Sequence, residues 1–229
     1  MSAIFSSRLM RAPRPVGRFT RLLSTGALVL VLAGCQTAYY AAWEKLGYEK
    51  RDILTSRVED ARDAQTEAKE EVVSALESFS KAVNYEGGEL ETQYKRFAAK
   101  LDDSEAAAAN VRDRVSKVEA TASALFDEWR SELGSYNNQE LRAVSERQLG
   151  ETKSRYNTMI AAMRTARDRL EPALRPLRDQ VLFMKHNLNA SALASLKGEI
   201  KIVNAEVDRL IADINKAVEQ ADGFIDQLR

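Results

Sequence analysis

The chain of 229 residues contains one cysteine and one histidine. One cysteine excludes a disulfide framework and any thiolate-rich metal site, and one imidazole leaves few routes to histidine catalysis. Proline and glycine are scarce too. Past residue 34 only Pro172, Pro176 and seven glycines remain, too few breaks for a turn-rich β architecture. No apolar run approaches the roughly 20 residues that span a bilayer. Acidic residues are missing from the beginning: none precedes Glu44, while Arg8, Arg11, Arg14, Arg18 and Arg21 lie within the first 34 residues. The chain as a whole is neutral, with 34 basic and 34 acidic residues, but without those 34 positions it holds 29 basic against 34 acidic. A nucleic-acid partner is not expected of such a chain, because that affinity depends on a net basic face.

What is present at the amino terminus is a targeting pattern. A basic stretch over residues 1–21 is followed by an apolar run at 22–32 (LLSTGALVLVL), and then by Ala33, Gly34 and Cys35. This is the order of a signal peptide, with basic, apolar and small-residue regions. Leu32, Ala33, Gly34 and Cys35 match the bacterial lipobox. That resemblance implies removal of residues 1–34, diacylglyceryl transfer to Cys35 and acylation of its new amine, which together make a stable anchor. Residues 35–38 are then a lipidated tether, and 39–229 a single domain. Gln36 stands where an aspartate would resemble an inner-membrane retention signal, so the expected location is the periplasmic face of the outer membrane. Tyr39, Tyr40, Trp43 and Tyr48 follow at once, and aromatics of this kind suit either the membrane interface or the end of a helical core.

From residue 39 apolar side chains recur at alternating spacings of three and four. The series Leu90, Tyr94, Phe97, Leu101, Ser104, Ala108, Val111, Val115, Val118, Ala122, Leu125, Trp129 has one polar member. The series from Leu193 and Leu196 through Ile200, Val203, Val207, Leu210, Ile214, Ala217, Ala221 and Phe224 to Leu228 has none. Both are helical seams. A first helix over about 39–84 holds Val58, Ala61, Gln65, Ala68, Val72, Ala75 and Phe79 in phase, with a charged outer face from Glu59 to Glu71 read as solvated. A third carries Leu149, Thr152, Tyr156, Ile160, Met163, Arg167, Leu170, Leu174, Leu177, Val181, Met184 and Leu188. Its phase passes Pro172 and Pro176 without slipping, so one helix with a kink at the prolines is expected.

Gly87 and Gly88 mark the first reversal. Gly134 suits a left-handed position after the second helix, and Asn137 with Glu140 has the spacing of a capping box. Residues 187–190 (NLNA) make the last break. Short connections join antiparallel neighbours. The fold class is therefore all-α: an elongated antiparallel bundle of about four long, coiled-coil-like helices.

Four stretches resemble an uncharacterised bacterial lipoprotein family, domain of unknown function 2959. They are KRDILTSRVEDARDAQTEAKE at 50–70, GGELETQY at 87–94, ALFDEWRSEL at 124–133 and DQVLFMKHNLNA at 179–190. The resemblance covers residues 39–228 and implies a lipid-anchored helical protein, with no activity, cofactor or partner attached.

Candidate chemistry is sparse. Met159, Met163, Met184 and His186 are soft donors of the kind a copper site uses, but Met163 and Met184 lie about 30 Å apart along one helix and cannot share an ion. No nucleophile elbow, phosphate loop or dinucleotide fingerprint occurs, and the carboxylates follow no pairing beyond that of a charged helix face. No catalytic, cofactor or metal residue is assigned, and Cys35 is the one site residue, for lipidation. Between Arg164 and Lys185 six cations face three acids, a stretch suited to anionic lipid, to lipopolysaccharide phosphates or to the acidic face of the first helix, with pairing inside the chain the simplest reading. The function expected is a non-enzymatic, lipid-anchored envelope scaffold or adaptor working through helix surfaces, with a membrane-binding or remodelling module as the alternative. Its partners are the membrane, through the anchor, and envelope proteins, peptidoglycan or a second copy.

Overall fold

The computed structural model describes residues 50–228, with 86, 88 and 89 excepted. Cys35, Gln36 and the aromatic cluster from Tyr39 to Tyr48 lie outside the described residues. Four long helices, α1 (Lys50–Val83), α2 (Leu90–Glu132), α3 (Gln139–His186) and α5 (Glu199–Leu228), and one short helix, α4 (Ala190–Leu196), make up nearly all of the rest. At 1.5 Å per residue the long ones run from about 45 to about 72 Å. No strand occurs among the described residues.

Ion pairs fix the course of the chain. Glu71 of α1 meets Lys100 near the start of α2, and Asp60 meets Arg114 further along, so α1 and α2 are antiparallel. Glu119 and Glu105 of α2 meet Arg164 and Arg178 of α3 in the same reversed order. Arg169 of α3 pairs with Asp213 of α5, and α5 returns along α1 through Arg62 with Asp222 and Lys69 with Asn215. Each helix thus packs on the next and α5 closes onto α1, an up-down-up-down bundle of the kind that short connections produce.

The seams turn inward as their periods require. Val58, Ala61, Gln65, Ala68, Val72, Ala75 and Phe79 are fully buried on α1, as are Val203, Val207, Leu210, Ile214, Ala217 and Ala221 on α5. Phe79 and Phe97, with ring centres 5.3 Å apart, tie the α1–α2 hairpin near its turn. Ser104 is the polar member of the α2 seam. It is buried because its hydroxyl donates to the Lys100 carbonyl at 2.8 Å, within its own helix.

The helix ends depart from expectation. Gly134 is not left-handed: residues Leu133–Ser135 tighten into a 3₁₀ turn, an alternative way of closing a last turn. The cap of α3 is Asn138 and not Asn137, its side-chain oxygen accepting from the Glu140 and Leu141 amides at 2.9 and 3.2 Å. A capping side chain must reach donors two and three residues ahead, and Asn138 is the residue so placed. The seam from Leu193 to Leu228 is not one helix. It breaks at Lys197 and Gly198 into α4 and α5, with Leu193 and Leu196 still buried. Leu188 falls after the end of α3 and is exposed. Elsewhere the register held: α3 is a single helix through Pro172 and Pro176. Each proline lacks the N–H that would reach the carbonyl four residues earlier, and buried Leu170, Ala173, Leu174 and Leu177 hold the helix to the core across that gap.

Candidate functional site

Among the buried polar side chains, Gln65 links two helices across the core. Gln65 is fully buried on α1 and reaches across to α3, its Nε2 donating to the Met163 carbonyl at 3.0 Å. The two helices are diagonal in the bundle. The crossing is possible because Ala61, Ala64 and Ala68 on α1, Ala162 and Ala166 on α3, and Ala217 and Ala221 on α5 are all buried at this level and let backbones approach. The Gln65 Oε1 has no hydrogen-bond partner.

The soft donors do not converge. Met159, Met163 and Met184 are buried in the core, and His186 is exposed at the end of α3. Among the described residues no three His, Cys, Asp or Glu side chains come together as metal ligands.

The basic stretch of α3 is largely bonded within the bundle, but not to the helix expected. Arg164 and Arg167 share Glu119, Arg169 meets Asp213 at 2.9 Å, and Arg178 bridges Glu105 and Glu171. These carboxylates belong to α2, α5 and α3, and none to α1. Hydrogen bonding from Arg178 holds the Glu171 carboxyl below its usual range, with attraction from Arg175 and Arg112 adding to it. The same contact with Glu171, and then that with Glu105, raises the Arg178 pKa and keeps it charged. The charged face of α1 differs from the solvated one expected, since Asp60, Arg62, Lys69 and Glu71 make contacts to α2 and α5. Along α2, Asp113 pairs with Lys117 one turn on at 2.6 Å.

Tyr156 marks where the bundle changes section. Its ring meets Phe126 of α2 edge-on at 5.3 Å and Phe224 of α5 at 6.2 Å. Burial, with the Glu119 charge adding, pushes its phenol up to about 12. Earlier in α3 only Ser145 and Leu149 are buried, and Leu141 and Val144 are exposed. This first stretch is held by Trp129, whose indole N–H donates to the Ser145 hydroxyl at 2.8 Å.

Two shallow depressions mark the outer surface. A groove of about 410 Å³ between α1 and α5 is lined by Lys69, Glu70, Val73, Ser74, Glu77 and Ile211. A polar notch of about 310 Å³ lies at Arg51, Asp52, Thr55, Ser56, Glu59 and Leu228. Sequence reasoning did not single out Val73, Ile211, Leu182 or Ile202. The signal available was an apolar residue one position off the seam, beside Val72, Leu210, Val181 and Val203.

These features define the class as an all-α, antiparallel four-helix bundle presenting helix surfaces. Residues 39–228 match the family described as Protein of unknown function (DUF2959), and the chain belongs to it. A comparison with curated proteins found no match. No helix among the described residues is long and apolar enough to cross a membrane.

Proposed function

We propose that this protein is a non-enzymatic scaffold or adaptor of the cell envelope, anchored by lipid on Cys35 at the periplasmic face of the outer membrane and acting through helix surfaces. The observation that carries this reading is where the unspent apolar surface lies. Leu141, Leu182 and Ile202 are 56%, 61% and 55% exposed on otherwise charged helices, and apolar side chains left outside a filled core are what a helix partner covers. The Leu32-to-Cys35 tetrapeptide supports the anchor, and Gln36 supports the outer membrane. A module lying on the bilayer through the basic stretch is the weaker reading, because Arg164, Arg167, Arg169 and Arg178 already have carboxylate partners.

Metabolic labelling with a fatty acid tests the anchor: Cys35→Ala is expected to lose the label, and labelling equal to the parent refutes it. Photocrosslinkers at Leu141 and Arg175 in intact cells test the scaffold. Protein or cell-wall adducts are expected at Leu141. Lipid adducts dominating at both positions would favour the bilayer module.

A further inference from the structure

Two surfaces of the bundle complement one another and cannot meet within one chain. The first is the α1–α5 groove. Its floor is Val73 and Ile211, half-buried against the core, and its rim carries the exposed carboxylates Glu70 and Glu77, the latter in a solvent-exposed pair with Lys81 at 3.7 Å along its own helix. Its one cation, Lys69, is occupied with the Asn215 side-chain oxygen at 3.1 Å. Both helices are acidic, with six basic against eight acidic residues on α1 and three against seven on α5. Such a groove fits a helical ridge that is apolar at its crest and cationic on its flanks.

The second surface has that character. Arg175, Asp179, Leu182 and His186 recur at helical spacing and share the exposed face of the last turns of α3. Leu182 is 61% exposed and Phe183 beside it 37%. Arg175 and Lys185 flank them without an ion-pair partner among the described residues, whereas Arg169 and Arg178 have theirs. Helix α3 carries ten basic against six acidic residues, the opposite balance to α1 and α5. Since α3 lies diagonal to α1, its outer face points away from the groove of its own bundle.

We propose that the end of α3 of one copy docks in the α1–α5 groove of a second copy, Leu182 and Phe183 resting on Val73 and Ile211 while Arg175 and Lys185 face Glu70 and Glu77. The two patches differ, so the contact is heterologous: made in both directions it closes a pair, and made in one direction it propagates an array. A contact of this size is weak by itself, and tethering copies to one membrane raises their effective concentration. The inference deepens the scaffold reading and rests on it for that tether.

The test uses the full chain in cells, with a photocrosslinker at Leu182 and a second, tagged copy of different mass. The expected product is an adduct to α1 or α5 of the tagged copy. Glu70→Lys with Glu77→Lys in the tagged copy should abolish it, and Arg175→Glu with Lys185→Glu in the crosslinking copy should restore it. Should the reversals disturb the helical circular dichroism, Glu70→Gln with Glu77→Gln gives the same test as a partial loss. An adduct indifferent to these charges, or one mapping to another surface of the second copy, overturns the docking. Adducts to a different envelope protein alone overturn it while leaving the scaffold standing, and adducts to lipid at Leu182 and Leu141 alike overturn both.

Discussion

Gln65→Leu should make the protein more stable. The wild-type side chain is fully buried, makes one hydrogen bond to the Met163 carbonyl, and leaves its own carbonyl oxygen without a partner. Replacing it removes that bond, worth about 1 kcal/mol net. The Met163 carbonyl is not orphaned, because it lies within α3 and belongs to the helical ladder. Against the loss stands relief of a buried unpaired acceptor, about 1–3 kcal/mol, and about 1 kcal/mol from the added apolar burial. The net gain is about 1–3 kcal/mol, which for a domain of this length raises Tm by about 2–4 °C per kcal/mol. Thermal melts followed by circular dichroism would measure it. A melting temperature lowered by several degrees would refute the reasoning, since it would mean that the Gln65 oxygen is satisfied and that the crossing is a net attachment. A buried polar residue at a seam position is also a known means of setting helix register at some cost in stability. The variant should therefore be examined by sedimentation for a change in oligomeric state.

The remaining predictions concern the core and pH. Leu210→Asp and Leu125→Asp should each cost about 3–5 kcal/mol by burying an unpaired charge, whereas Glu67→Asp on the exposed face of α1 should be almost silent; equal melting shifts at all three would sink the assigned faces. Tyr156 titrates near 12 when folded against an ordinary value of 10, so the folded state holds its proton more tightly. Its contribution is complete below pH 10 and is lost as pH rises from there toward 12. Tyr156→Phe should flatten that part of the pH–stability curve in denaturant titrations, and an unchanged slope would refute the shift.

Much of the fold was legible because a heptad seam is a local property. The spacing of Leu101, Val111, Val115 and Val118, or of Val203, Val207, Leu210 and Ile214, decides which side of a helix must avoid water whatever it packs against. It even carried α3 across two prolines. The ends were less legible, because a cap is chosen by which side chain reaches free amides. Asn137 and Asn138 differ in that geometry and not in chemistry.

The candidate surfaces belong to the tertiary structure. Along the chain Arg164, Arg169 and Arg178 read as one basic stretch, yet they point to different neighbours, Glu119, Asp213 and Glu105. Which cations remain available follows from how α2, α3 and α5 surround one another. The α1–α5 groove likewise joins Val73 to Ile211, residues far apart in sequence that meet only because α5 closes the bundle against α1. The helical seams, their buried faces and the pattern ending at Cys35 can be read along the chain, because each is written in residues a few positions apart. Only the packing decided which charges are neutralised and where apolar side chains stay uncovered, because both depend on helices that are distant in the chain and adjacent in space.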